Sequence, residues 1–128
     1  MALRDQIRIM VVDDMSTSRG LITQALDAFG VSHVTTAENG KDALQILASK
    51  PAHLVISDYN MPEMDGLQLL HYLRASPKTK GIGFVLITGR AEQQIIDHGK
   101  KLGMNNYLKK PFQPDDLRNC IEAVVGRL

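Results

Sequence analysis

A doubly wound α/β fold, with helices on both faces of a parallel sheet, is predicted from three features of the chain. Short apolar runs rich in β-branched residues alternate five times with stretches of helical periodicity. The connections are short, with no linker, repeat or low-complexity segment. Four of the apolar runs stop at a carboxylate, hydroxyl or ammonium residue, which is how strands end when their C-terminal edge carries a site. Strict alternation implies right-handed crossovers between parallel strands.

The first run, Ile7 to Val12, reads as a strand ending at Asp13-Asp14. Ser16 is then a candidate N-cap for a helix in which Leu21, Ile22, Ala25, Leu26 and Phe29 recur at helical spacing, and Gly30 stops it. Val34 to Ala37 is a weaker second strand. Asn39 caps a helix running through Leu44 and Leu47 to Ser49, with Pro51 beyond its end. Leu54 to Ser57 is the third strand and presents Asp58 at its end. Asp65 opens the next helix, with Gln68 at the capping-box position and Met64 and Leu69 spaced as a hydrophobic staple.

Phe84 to Ile87 is continuously apolar, as in a strand covered on both faces, and it ends at Thr88-Gly89. A helix from Glu92 to Leu102 closes at Gly103. Tyr107-Leu108-Lys109 is a short fifth strand, stopped by Lys110-Pro111. Pro114 starts a last helix with an apolar stripe of Leu117, Ile121, Val124, Val125 and Leu128. For five such strands the flavodoxin-like order 2-1-3-4-5 is the natural (βα)5 arrangement, taken from the known repertoire of these sheets.

Bulk properties narrow the classes. At 128 residues the chain is expected to be one domain over 1–128, able to bury about two-thirds of its unfolded surface without staples. A net charge of +1 with no basic block argues against a nucleic-acid partner. The single Cys120 excludes an internal disulfide framework and, spaced with Ile121 and Val124, reads as a packing residue. Neither a signal-peptide core nor a long apolar span is present, so no membrane is expected and the cytoplasm is the expected location. His33, His53, His71 and His98 are scattered without ligand spacing.

On that scaffold the polar strand ends converge. Asp13 and Asp14 end strand 1, Asp58 strand 3, Thr88 strand 4 and Lys110 strand 5. Strands 1 and 3 are neighbours, so three carboxylates meet, and their repulsion should raise the proton affinity of at least one. A hard divalent cation resolves the repulsion, since Mg²⁺ takes one or two carboxylates plus waters and a phosphate oxygen. Lys110 adds a point charge and Thr88 a hydroxyl, around Asp58 as nucleophile.

The runs Val11-Val12-Asp13-Asp14, Ser57-Asp58-Tyr59-Asn60-Met61-Pro62-Glu63-Met64-Asp65-Gly66, Ile87-Thr88-Gly89 and Tyr107-Leu108-Lys109-Lys110-Pro111-Phe112 resemble the receiver domain of bacterial response regulators of the single-domain chemotaxis type. The resemblance covers essentially the whole chain. It implies that Asp58 accepts a phosphoryl group from a histidine kinase. It also implies Mg²⁺ held by Asp14, Asp58 and the backbone carbonyl of Asn60, with Asp13 assisting through water. Thr88 and Lys110 would bind the phosphoryl oxygens, the lysine directly before Pro111 being the one that fits. The Lys110-Pro111 bond would be cis.

Tyr107 would turn inward as Thr88 moves, remodelling a surface made by the fourth helix, fifth strand and fifth helix of the five anticipated. Asn60 and Arg90, two residues after Thr88, would tune water access to the acyl phosphate. Gly83 stands where many relatives carry proline, so a looser entry to strand 4 is expected. Gly20 within a helix has no role assigned by sequence. The implied partners are the kinase, a flagellar motor switch protein or other downstream protein, and a phosphatase; the chain would be a monomer without an output domain and not a turnover enzyme.

Three other readings stay open at this stage. A phosphate sink or phosphorelay intermediate would use the same site. An aspartate-nucleophile phosphatase would carry its nucleophile on strand 1 with a second aspartate two residues on, whereas Asp13 and Asp14 are adjacent. A flavin or nucleotide module would need a glycine-rich loop where Met15-Ser16-Thr17-Ser18 stands.

Overall fold

The computed structural model describes residues 2–90 and 92–128. The elements run α1 (Leu3–Gln6), β1 (Arg8–Val12), α2 (Ser16–Ala28), β2 (His33–Ala37), α3 (Gly40–Ser49), β3 (Leu54–Asp58), α4 (Gly66–Ala75), β4 (Gly83–Thr88), α5 (Gln93–Leu102), β5 (Asn106–Lys109) and α6 (Pro114–Val125). The sheet is parallel throughout, in the order β2-β1-β3-β4-β5. The expected strand order and the alternation are both present.

Strand side chains alternate between two cores, because successive residues point to opposite faces. Met10, Val12, Val55, Phe84 and Leu86 pack with Leu47 of α3, Leu69, Leu70 and Leu73 of α4 and Ile96 of α5. Ile9, Val11, Leu54, Ile56, Val85 and Ile87 pack with Ile22 and Leu26 of α2 and Leu117 and Ile121 of α6. Both faces are therefore sealed, and the polar edges are left to carry chemistry.

The helix signals translate into geometry where a side chain reaches a free backbone donor. Asn39 accepts from Asp42 N at 2.8 Å, and Asp65 and Gln68 form both bonds of a capping box. Gly30, at φ 87°, closes α2 with Gly30 N donating to Asp27 O and Val31 N to Leu26 O, the paired bonds of a Schellman turn. Pro114 occupies the first turn of α6.

Four expectations need correction, and one element was not anticipated. Leu128, expected on the stripe of the last helix, lies beyond α6, which ends at Val125. Ser16 is not the N-cap of α2: Met15 takes that position without a side-chain cap, because the buried Asp13 carboxylate already accepts Met15 N–H at 2.9 Å and the helix starts one residue early. Leu21 lies outside the buried face and is 63% exposed. Gly83 does not loosen its strand; it opens β4 and donates its N–H to His53 O at 3.0 Å, a bond proline could not make. The one-turn α1 escaped the periodicity reading, since four residues are too few to show a period.

Candidate functional site

Asp58 is the last residue of β3, opposite Ile87 of β4, and its neighbour Tyr59 still donates its N–H to Ile87 O at 2.8 Å. The side chain is thus delivered at the C-terminal edge on a fully paired strand. Gly66 makes this possible on the helix side. A methyl group at Gly66 would lie 2.5 Å from the Asp58 carbonyl oxygen, so only glycine lets α4 begin so close to the strand end. Between them, Glu63 adopts φ 69° in the turn.

β1, the neighbour of β3, brings Asp13 and Asp14. Asp13 is fully buried, Asp14 exposed, and one carboxylate oxygen from each of Asp13, Asp14 and Asp58 lies within 4.8 Å of the others. Asp13 spends one oxygen on Met15 N–H, while its Oδ2 is buried without a hydrogen-bond partner among the described residues. Arg19 of α2 donates to the Asp13 backbone carbonyl at 2.8 Å and lies 3.7 Å from Glu38. Its charge is therefore close to the acids without pairing with any of the three.

From the other side, Lys110 N donates to Thr88 O at 2.8 Å, which fixes the end of β5 against that of β4. The Lys110 side chain returns over the crevice, with Nζ 3.2 Å from Asp58 Oδ1 and 3.3 Å from Ser18 Oγ. The Lys110–Pro111 bond is cis. Lys109 is exposed, so the two tandem lysines part as expected.

Burial raises the Asp58 proton affinity above the ordinary carboxylate value; Lys110 opposes this by charge and hydrogen bond, and Asp13 adds a smaller upward push. The expected rise is present, but its leading cause is desolvation and not the repulsion between acids.

Thr88 is buried at the end of β4, and its hydroxyl faces a local turn. It accepts Arg90 N–H at 2.9 Å and donates to Arg90 O at 3.2 Å. Arg90 and Asn60 are both exposed, on the loops after β4 and β3 that flank Asp58. Tyr107 of β5 is half-buried against the core shared by α3, α4 and α5. The structure thus brings Asp13, Asp14, Asp58 and Lys110 together and keeps the Thr88 hydroxyl in a separate contact.

Sequence reasoning missed two residues at this site. Ser18 and Arg19 both lie in the first turn of the helix after β1, at the edge where Asp13 and Asp14 end that strand, and that placement was the available signal for both. Cys120 is buried and its thiol donates to Tyr107 O at 3.6 Å. Burial pushes that thiol up to about 11, consistent with packing rather than reactivity.

The fold and these side chains define a doubly wound α/β domain with an acidic crevice at its topological switch point, where β1 and β3 diverge. The family model for the response regulator receiver domain matches residues 9–122. The chain belongs to that family. It is 39% identical over 128 residues to the "Probable chemotaxis protein CheY" of Rhizobium etli, covering 100% of this chain and 99% of that protein. It is 38% identical over 121 residues to chemotaxis protein CheY1 of Helicobacter pylori, covering 94% and 98%. Among solved structures, chemotaxis protein CheY4 of Vibrio cholerae superposes with a TM-score of 0.88 at 28% identity, covering 94% of this chain and 99% of that one.

A receiver domain is a phosphorylation-switched module of two-component signalling, not a turnover enzyme, and such domains bind Mg²⁺ at an acidic pocket. The residues here fit that ion. Three hard oxygen donors converge, and the orphaned Asp13 Oδ2 is a buried polar atom in need of a positive partner. No helix among the described residues is long and apolar enough to cross a membrane.

Proposed function

We propose that the chain accepts a phosphoryl group from a histidine kinase on Asp58 and signals by a change on its α5–β5–α6 surface. The observation that carries this reading is Lys110 Nζ at 3.2 Å from Asp58 Oδ1, beside two further carboxylates within 4.8 Å. An Asp58 oxygen attacks phosphorus, the P–N bond to the donor imidazole breaks, and the imidazole leaves with the electron pair and takes up a proton. Asp13, Asp14, Asp58 and the Asn60 carbonyl would hold Mg²⁺, which when bound neutralises the transferring phosphoryl oxygens. Lys110 supplies the second cation, already in place. Asn60 and Arg90, at the mouth of the crevice, set how water reaches the acyl phosphate.

Magnitudes constrain the switch. Inverting a 1:99 population needs about 5.5 kcal/mol of differential stabilisation. A hydrogen bond to a charged group nets about 1.5–3 kcal/mol. Thr88 must first release Arg90 N–H, so its net share is smaller than a new bond would bring. Lys110 and the packing change at Tyr107 therefore have to carry much of the difference. As Thr88 moves toward the phosphoryl group, Tyr107 turns inward beside it.

The relatives' names support a role in chemotaxis. On this reading the chain acts in the cytoplasm by binding a partner protein, with a flagellar motor switch protein as the target. Incubation with acetyl phosphate and Mg²⁺ followed by intact mass tests the core step. A single phosphoryl adduct is expected, absent in Asp58→Asn. An adduct that survives this substitution overturns the assignment. Binding of a flagellar switch peptide only by the phosphorylated form tests the target.

A further inference from the structure

We propose that Ser18 is a positioning residue for Lys110, holding its ammonium over the phosphoacceptor; the inference rests on the phosphoryl-transfer reading above. Lysine carries three donors on a flexible four-carbon stem, so a lysine that must meet a transient phosphoryl group needs something besides that group to fix it. The backbone of Lys110 is fixed through Thr88 O, but the side chain leaves the sheet at the end of β5. It is 28% exposed, beside a largely apolar groove of about 610 Å³ lined by Met15, Leu21, Pro111 and Phe112 among others. Thr17 and Ser18 supply the only side-chain hydroxyls of that groove wall, and Ser18 is the one that Lys110 reaches.

Two contacts oppose escape into the groove: Asp58 Oδ1 at 3.2 Å and Ser18 Oγ at 3.3 Å. They differ in what phosphorylation does to them. Esterification removes the Asp58 carboxylate charge and moves negative charge outward onto the phosphoryl oxygens, so the first contact must be remade. Ser18 sits in the first turn of α2, is half-buried, and is untouched by the chemistry. Its hydroxyl is the constant anchor about which the ammonium turns from carboxylate to phosphoryl oxygen. Neither the acidic cluster nor the strand ends contain this group, so the site draws on α2 as well as on the strand-end loops.

The test compares wild type with Ser18→Ala and Ser18→Thr. Alanine is the better helix former, so the first variant keeps α2 intact, and threonine returns the hydroxyl. The rate of phosphorylation by acetyl phosphate with Mg²⁺ is expected to fall about tenfold in Ser18→Ala, the lower end for one hydrogen bond to a charged group, and to recover in Ser18→Thr. In the unphosphorylated protein the Lys110 ammonium NMR signal is expected to be protected in wild type, exchange-broadened in Ser18→Ala and protected again in Ser18→Thr. A merely structural serine would not move that signal. An unchanged rate or an unchanged ammonium signal in Ser18→Ala overturns the inference. A wild type that takes no phosphoryl group overturns the phosphoacceptor reading instead, and the ammonium measurement still reports the Ser18 contact.

Discussion

Where the strands begin, Arg74 gives its guanidinium hydrogens to the carbonyls of Gly103, Lys80 and Ile82 and to Asn105 Oδ1, at 2.7 to 3.2 Å. Asn105 Oδ1 also accepts Phe84 N–H, and His53 Nδ1 accepts Arg8 N–H. Where the strands stop, Asp13 keeps a buried oxygen with no partner, and Asp58 is buried beside two further acids with Lys110 as its one ion-pair partner, both among the described residues. One edge of the sheet is saturated and the other is left electrostatically incomplete. The first therefore contributes stability, and the second sacrifices some of it to keep a site that a cation and a phosphoryl group can complete.

Removing the saturating group should have the largest effect. Arg74→Ala leaves three backbone carbonyls without this donor and Asn105 Oδ1 with Phe84 N–H alone, and chemical denaturation is expected to show a loss of about 2–3 kcal/mol. Acetyl phosphate should still label the folded fraction, since the far edge is untouched. Loss of labelling in the folded protein would mean the two edges are coupled.

Completing the other edge should be nearly as large. Mg²⁺ at a hundredfold excess over its Kd should stabilise the wild type by about 2.7 kcal/mol, read as a rise in thermal midpoint. Asp13→Asn should remove most of that rise.

A smaller gain is expected from Asp58→Asn in metal-free buffer at neutral pH, about 1–2 kcal/mol, because a charge held in a desolvated site is removed. The pH dependence carries the sign. Folding raises the Asp58 proton affinity, so between its ordinary and its raised value the folded chain holds more protons than the unfolded one. Stability should therefore fall as pH rises through that window, and this component should vanish in Asp58→Asn.

The smallest effect concerns neither edge. Gly20 lies inside α2, where an added methyl would meet nothing within 4 Å. Gly20→Ala should stabilise by up to about 1 kcal/mol without altering phosphorylation; a loss of stability would reveal a backbone role there.

The contrast between edges also marks what was legible in the chain. Asp13, Asp14, Asp58 and Lys110 were visible because each ends an apolar run, and run ends in a parallel sheet share one edge. The Arg74 network was invisible, since all but one of its acceptors, Asn105 Oδ1, are backbone carbonyls, which every residue carries. Leu21 misled for a related reason: apolar spacing gives a helix its period but does not say how far the partner surface extends around it.

By itself the sequence determined the alternation of strand and helix, the caps at Asn39 and Asp65, and the acidic and basic groups at the strand ends, because these depend on local periodicity and on contacts a few residues apart. Tertiary structure alone decided that burial, more than the neighbouring acids, raises Asp58, that the Thr88 hydroxyl is held by Arg90, and that Ser18 meets Lys110 ninety-two positions away. Those outcomes depend on desolvation and on distances between segments remote in the chain, and neither is written in the order of residues.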